Sequence, residues 1–145
     1  ISKVNSEFLN TLLQLGVTPV IAPLAVDNQC NTLNINADLA ASAIAAAIGA
    51  SQLILLSDID GYYANYPDKN SLISQLSVKE VNQLLAQPSL VSDGMHPKLS
   101  ACVTAVSSGV NSAHIVNRNL AHSLIQTVQN PTKIGTSIVR EEVLC

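Results

Sequence analysis

A short apolar run that leads into a polar turn constrains the fold of this chain more than any other feature. Leu53–Leu56 is an unbroken aliphatic stretch, and Ser57–Gly61 follows it with two carboxylates and a glycine. Such a run between turn signals is typical of a strand buried on both faces of a parallel sheet. Ligands of open α/β sheets bind outside the carboxyl ends of such strands. Asp-Gly after a strand is also an ordinary turn, so Ser57–Gly61 is either a binding loop or a plain connection.

Composition indicates a folded protein that does not bind nucleic acid. Of the 145 residues, 48% are hydrophobic and 12% charged, which excludes a disordered chain. The net charge of −3 and the lack of a basic stripe argue against nucleic acid as a partner. Apolar stretches are too short for a membrane span, and the start carries no signal-peptide pattern, so we expect a cytoplasmic protein. Cys30, Cys102 and Cys145 are widely spaced, and we expect reduced thiols.

Helical and strand patterns alternate along the chain. The apolar spacing and the capping signals predict helices over 5–16, 39–48, 77–85, 97–108 and 120–128. Short apolar runs predict strands over 17–24, 53–56, 112–116 and 135–139, with a loop or small hairpin over 25–32. Alternation of this kind predicts an α/β fold, a three-layer αβα sandwich with a mainly parallel central sheet, in a single domain over 1–145.

Three polar clusters lie where predicted strands or loops lead into helices. They are Asn34/Asn36/Asp38, Ser57/Asp58/Asp60/Gly61 and Ser92/Asp93/Gly94/Lys98. One helix cap needs only one Asn or Asp, so three in five positions favour a binding role. Lys98 opposes the dipole at a helix start, which indicates either a functional cation or a side chain that reaches solvent. On one edge of a parallel sheet these groups suit an anionic phosphate ligand.

The order of five segments resembles that of the acetylglutamate kinases, a branch of the amino-acid kinase family. The similarity covers nearly the whole chain. The strand that ends in Asp-x-Asp-Gly is shared across the wider family, whereas the first and third segments are more specific to this branch. The segments are Asn34–Asp38, Leu55–Gly61, Asp93–Lys98, Ser112–Val116 and Ile134–Thr136.

The resemblance implies a role for each cluster. Lys98 would stabilise charge on the phosphoryl group in transfer, and Asp38 would organise the catalytic lysines. Asn34 and Asn36 would bind the substrate. Residues implied in nucleotide binding are Ser57, Asp58, Ile59, Asp60, Gly61, Tyr62, Tyr63, Leu90, Val91 and Ser92.

The reaction implied by the resemblance uses ATP, with Mg²⁺ carried by the nucleotide. It transfers the γ-phosphoryl group to the side-chain carboxylate of N-acetyl-L-glutamate, on the route to arginine. An anionic carboxylate that attacks an anionic phosphate needs cations nearby and little covalent help.

The resemblance also implies a missing part. The family's N-terminal half carries a second catalytic lysine, glycine-rich phosphate turns and a substrate-binding arginine, and this chain holds none of these motifs. We therefore expect the C-terminal, ATP-binding half of a longer kinase, inactive alone and homo-oligomeric at full length. Two alternatives stay open: an aspartate, glutamate or nucleoside-monophosphate kinase of the same family, or a nucleotide-binding fragment without catalytic activity.

Overall fold

A computed structural model describes residues 1–141 of the chain. The helices are α1 (Ser6–Gln14), α2 (Ala37–Ala47), α3 (Val78–Leu85), α4 (His96–Ser107) and α5 (Ser123–Gln129). The strands are β1 (Leu24–Val26), β2 (Thr32–Asn34), β3 (Gln52–Ser57), β4 (Gln75–Ser77), β5 (Ser112–Asn117) and β6 (Thr136–Val139), with 3-10 turns at Lys69–Ser71 and Pro88–Leu90. Cys30 and Cys102 are free thiols, whereas Cys145 lies outside the described residues. No helix within residues 1–141 is long and apolar enough to cross a membrane.

The main sheet confirms the predicted α/β class. Its strand order is β3-β5-β6-β4, and β1 and β2 form a separate antiparallel hairpin. β3 pairs with β5 in parallel, and β4 pairs with β6 in parallel. β5 and β6 run antiparallel in the middle of the sheet. The sheet is therefore mainly parallel, as predicted, but its two parallel pairs point in opposite directions.

Helices flank the sheet and enclose the core on one of its faces. Side chains from β3, β5 and β6 pack there against those of α3 and α4. α2 lies beside α4, and small residues such as Ala45 and Ala105 belong to this contact region. α5 packs against β5. Ser123 and Thr127 of α5 are buried, and on β5 Val116 is buried outside the main hydrophobic cluster to which its neighbour Ile115 belongs. This alternation along β5 places α5 on the second face of the sheet.

Capping residues fix the starts of α2 and α3; α3 begins where the sequence predicted it, whereas α2 begins at Ala37 rather than at residue 39. Asn36 Oδ1 accepts a hydrogen bond from Leu39 N at the start of α2. Ser77 and Glu80 form the predicted capping box at the start of α3. Such side chains satisfy backbone N–H groups that have no partner within the helix. The starts of α2 and α3 are thus set by local sequence.

The prediction that the Leu53–Leu56 strand is buried on both faces is wrong. Leu53 and Leu55 are buried, but the side chain of Leu56 is 48% exposed. β3 lies at an edge of the sheet, next to β5 only. One face of the strand therefore faces the core, while the other is partly open to solvent.

Two other predicted boundaries are wrong. The predicted strand over 17–24 is confirmed only at Leu24, and the hairpin that was one option for 25–32 is present as β1 and β2. Val20 is 97% exposed, and Pro19 has no N–H to donate to a ladder.

Helix α5 begins at Ser123 rather than at residue 120, because His122 before it has a left-handed backbone with φ of +58°. β4 was not predicted.

His114 is a fully buried side chain in β5. Its Nε2 atom lies 2.9 Å from Ser112 Oγ. Its Nδ1 atom is buried and has no well-aligned hydrogen-bond partner. Burial lowers the pKa of His114, and the nearby Pro131 backbone opposes this effect more weakly. The imidazole is therefore held in its neutral form.

We expect the free energy of unfolding to fall between about pH 7.5 and about pH 5, because unfolded histidine titrates near pH 6.5 and takes up a proton that folded His114 does not. The lowered pKa values of Asp27, Asp60 and Glu80 affect stability only in more acidic solution. Urea unfolding at both pH values measures the loss, which should be smaller in His114→Gln. An equal loss in both proteins would contradict the prediction.

Candidate active site

Lys98 and Asp38 form an ion pair where the N-terminal ends of α2 and α4 meet. Lys98 Nζ donates to Asp38 Oδ2 at 3.0 Å, and the two side chains are 21% and 20% exposed. Asp38 suits the positive end of α2, whereas Lys98 opposes that of α4. The carboxylate compensates for this unfavourable position. The structure thus brings the two predicted catalytic residues into direct contact.

The two predicted substrate-binding asparagines lie just before α2. Asn34 is the exposed last residue of β2. Asn36 is the N-cap, so its Oδ1 atom is used by Leu39 N while its Nδ2 atom remains able to donate. Asn36 therefore accounts for the one cap that the helix needs, and the substrate role of both residues remains a prediction.

A groove of about 640 Å³ lies between the loop after β3 and the segment before α4. Most of the predicted nucleotide-binding residues line it. Tyr62 connects the two walls, since its hydroxyl donates to Leu90 O at 3.3 Å. Burial raises the pKa of Tyr62. The predicted residues that line the groove are Ile59, Gly61, Tyr62, Tyr63, Leu90, Val91 and Ser92.

Three of the predicted nucleotide-binding residues do not line this groove. Ser57 is buried at the end of β3, and its hydroxyl lies 3.3 Å from Asp58 Oδ1. Asp58 is exposed. Asp60 is engaged by Asn117 and Tyr63 rather than turned toward the groove lining. Their nucleotide-binding role remains a prediction.

The loop after β3 is clamped against β6. Tyr62 N donates to Thr136 Oγ1 at 2.7 Å, and Thr136 Oγ1 donates to Ile73 O at 2.7 Å. Gly61 packs so closely that a Cβ atom there would lie 2.5 Å from Thr136 Oγ1 and 2.9 Å from Thr136 N. Gly135 has a φ of +72° and no room for a Cβ atom beside Ile115 O. These contacts fix the position of one wall of the groove.

Sequence reasoning missed several residues of the site. Met95 and the segment 64–66 also line the groove, and Asn117 holds Asp60. The Asp60–Asn117 contact joins residues 57 positions apart, and no local pattern marks Asn117. Thr136 belongs to a segment that carried the family resemblance, but its contact with Tyr62 was not predicted. The tyrosine-rich composition of 62–66 was the available signal for the missed part of the wall.

The structure is that of an α/β domain with an ion pair at the N-terminal ends of α2 and α4 and a groove that reaches the start of α4. A sequence profile described as the amino acid kinase family matches residues 1–117. The chain belongs to the amino acid kinase family.

Two curated relatives are named acetylglutamate kinase. The protein from Arthrobacter sp. (strain FB24) is 46% identical over 145 residues, which covers 96% of this chain and 46% of the relative. The protein from Methanococcus aeolicus is 38% identical over 141 residues, which covers 97% of this chain and 48% of the relative. The chain thus spans about half the length of the curated relatives that it matches.

A solved structure confirms the fold assignment. The N-acetylglutamate synthase from Neisseria gonorrhoeae, crystallised with coenzyme A and L-arginine, superimposes with a TM-score of 0.85 and 28% sequence identity. The superposition covers 97% of this chain and 32% of that protein. This fold therefore occurs in a protein that is named a synthase as well as in those named kinases.

We expect Gly61→Ala to destabilise the protein by about 1–3 kcal/mol, because the added methyl group overpacks the contact with Thr136. Gly94→Ala is the matched control, since a Cβ atom at Gly94 meets nothing within 4 Å. The control should change the free energy of unfolding by less than about 0.5 kcal/mol. Urea unfolding of both variants measures the difference. Similar stabilities for the two would show that Gly61 is not tightly clamped.

Proposed function

We propose that this chain supplies the ATP site and part of the catalytic site of an ATP-dependent kinase. The acceptor is the side-chain carboxylate of N-acetyl-L-glutamate, in arginine biosynthesis. The names of the curated relatives support this acceptor. The single observation that carries the proposal is the Lys98–Asp38 pair, an ammonium held at 3.0 Å by a carboxylate at the N-terminal ends of α2 and α4.

The ion pair supports a phosphoryl transfer between two anions. In the proposed step an oxygen of the substrate carboxylate attacks the γ-phosphorus of ATP. The bond from that phosphorus to the bridging oxygen breaks, and its electrons leave with ADP. Lys98 has three N–H donors and gives one to Asp38. The remaining donors bind the oxygens of the transferring group, where negative charge must be stabilised.

The groove between the loop after β3 and the segment before α4 suits the nucleotide. Tyr63 and Tyr66 line it, with ring centroids 5.8 Å apart, and aromatic side chains are good partners for a base. Met95 lines the same groove and lies one helical turn before Lys98. A base in the groove would therefore have its phosphates near the catalytic lysine.

The residues present fit a magnesium ion that arrives with the nucleotide. Within residues 1–141 no three side chains of His, Cys, Asp or Glu lie together as a metal site. Magnesium in kinases is held by substrate phosphates and one or two carboxylates. Asp58, exposed at the end of β3, is a suitable carboxylate. The ion would neutralise phosphate charge when bound.

The proposed partner of this chain is the N-terminal half of the same protein. The first thirty-odd residues expose large apolar side chains, and exposed apolar patches mark contact surfaces. Their free surface would be covered by the half that the curated relatives have and this chain lacks. The exposed side chains are Ile1, Phe8, Leu13, Leu15, Val17, Val20, Ile21, Leu24, Val26 and Leu33.

A binding domain without catalytic activity is the second candidate function. The observation that favours it is the likeness to a protein named a synthase rather than a kinase. The two functions differ in what Lys98 does. A binding domain needs the groove, whereas a kinase also needs the ammonium during phosphoryl transfer.

We expect Lys98→Met in the complete protein to lower kcat by about 10²–10³-fold, because a preorganised charge donor is lost. Asp38→Asn should also lower kcat, since it weakens the orientation of the lysine. Lys79→Met is the control, because Lys79 is 68% exposed and lies 3.7 Å from Glu141. An ADP-release assay with acetylglutamate measures these effects. A Lys98→Met enzyme with the kcat of the unmodified protein would refute the catalytic role.

We expect the isolated 145-residue chain to bind ATP without turning over acetylglutamate, because the additional cations for transfer lie in the proposed partner half. Calorimetry with ATP measures binding, and the same ADP assay measures turnover. Formation of ADP that depends on acetylglutamate would show that this chain carries a complete catalytic site.

A further inference from the structure

Asp60 is held from two sides by residues that are distant from each other in the sequence. Asn117 Nδ2 donates to Asp60 Oδ1 at 2.8 Å. Tyr63 OH donates to Asp60 Oδ2 at 2.6 Å. Each carboxylate oxygen therefore accepts one side-chain hydrogen bond, and Asp60 connects the end of β5 to the aromatic ring of Tyr63.

Asn117 is itself fixed in orientation. Its Oδ1 atom accepts a hydrogen bond from Asn119 N at 2.8 Å. The amide nitrogen must then point to Asp60, so the donor and acceptor of Asn117 are both assigned by their partners. A side chain fixed at both ends is a rigid support for the carboxylate.

The electrostatics agree with this geometry. The hydrogen bonds from Tyr63 and Asn117 lower the pKa of Asp60, and Lys69 adds a smaller favourable charge interaction. The hydrogen bond to Asp60 raises the pKa of Tyr63 to about 12. Asp60 is thus a carboxylate and Tyr63 a neutral donor near neutral pH.

The backbone of the loop is also held by contacts that do not involve Asp60. Arg118 N donates to Ser57 O at 2.8 Å and joins the end of β5 to the end of β3. Tyr62 N is held by Thr136 Oγ1. Because these contacts already place the main chain, the contact between Asn117 and Asp60 mainly determines where the Tyr63 side chain lies.

We propose that Asn117 is a positioning residue for nucleotide binding, which acts through Asp60 on the Tyr63 side chain in the wall of the groove. This inference rests on the proposed function, since the ligand is ATP. A fixed aromatic side chain contacts a purine base at a smaller loss of conformational entropy than a free one. Asn117 affects the affinity for ATP, and Lys98 affects the transfer step.

Asn117→Asp tests the proposal with almost no change in shape. The new carboxylate still accepts from Asn119 N, but it repels Asp60 instead of donating to it. We expect ATP, titrated calorimetrically into the complete protein, to bind about tenfold more weakly. The double variant Asp60→Asn/Asn117→Asp reverses the amide and the carboxylate, and it should restore the affinity to within about threefold.

The possible results distinguish failure of the proposed function from failure of this inference alone. If the unmodified protein does not bind ATP, the proposed function fails, and this inference fails with it. If the unmodified protein and Asn117→Asp bind ATP equally, only the inference is overturned. If Asn117→Asp is weakened but the reversed pair does not restore binding, the contact with Asp60 is not the cause, and the inference is again overturned.

Tyr63→Phe provides a second test if the Asn117 variants do not fold. It keeps the ring and removes only the hydrogen bond to Asp60. We expect binding of ATP to weaken about threefold. An unchanged affinity for ATP would overturn the inference.

In Asp60→Asn, the phenol pKa that absorbance titration assigns to Tyr63 should move from about 12 toward 10.

Discussion

The ion pair between Lys98 and Asp38 is the contact on which the candidate site depends. Both side chains are about four-fifths buried, at 3.0 Å from each other. Partly buried charges are costly unless they are paired, so each side chain lowers the cost of burying the other. The pair also joins the N-terminal ends of α2 and α4, where free backbone N–H groups favour anions. The packing of α2 against α4 and the charges of Asp38 and Lys98 therefore favour the same place for an anionic ligand, at the starts of these two helices.

The direction of β6 determines where the loop after β3, which forms one wall of the groove, is held. β6 runs antiparallel to β5, with Thr136 opposite Ile115. Its first residue therefore lies toward the carboxyl end of β5, at the same edge as the loop after β3. Thr136 reaches Tyr62 N there, and Gly61 fits against it because it has no side chain. A parallel β6 would place its carboxyl end at this edge, without the Gly135–Thr136 turn. The antiparallel strand β6, the exception in a mainly parallel sheet, thus holds the groove wall in place.

Sequence patterns identified the parts of the structure that depend on local chemistry. Capping signals located the start of α3 and, within two residues, that of α2, and the unfavourable position of Lys98 pointed to its ion pair. β4 has only three residues and exists through its pairing with β6. The segment 17–23 has a strand-like composition, but a strand needs a neighbour, and the described residues give it none. Asn117 was missed because its partner Asp60 is brought near by the fold alone.

Charge balance argues that the proposed site needs more than this chain provides. Lys98 is paired with Asp38, so the pair adds no net positive charge, and the whole chain carries a formal charge of −3. Transfer between a triphosphate and a carboxylate brings several negative charges together. Lys98 can stabilise them through its position and its free N–H donors, but not through excess charge. In the proposed function, the balance would come from the magnesium of the nucleotide and from cations of the proposed partner half. The incomplete charge and the exposed apolar surface near the N-terminus therefore both support the proposed partner half.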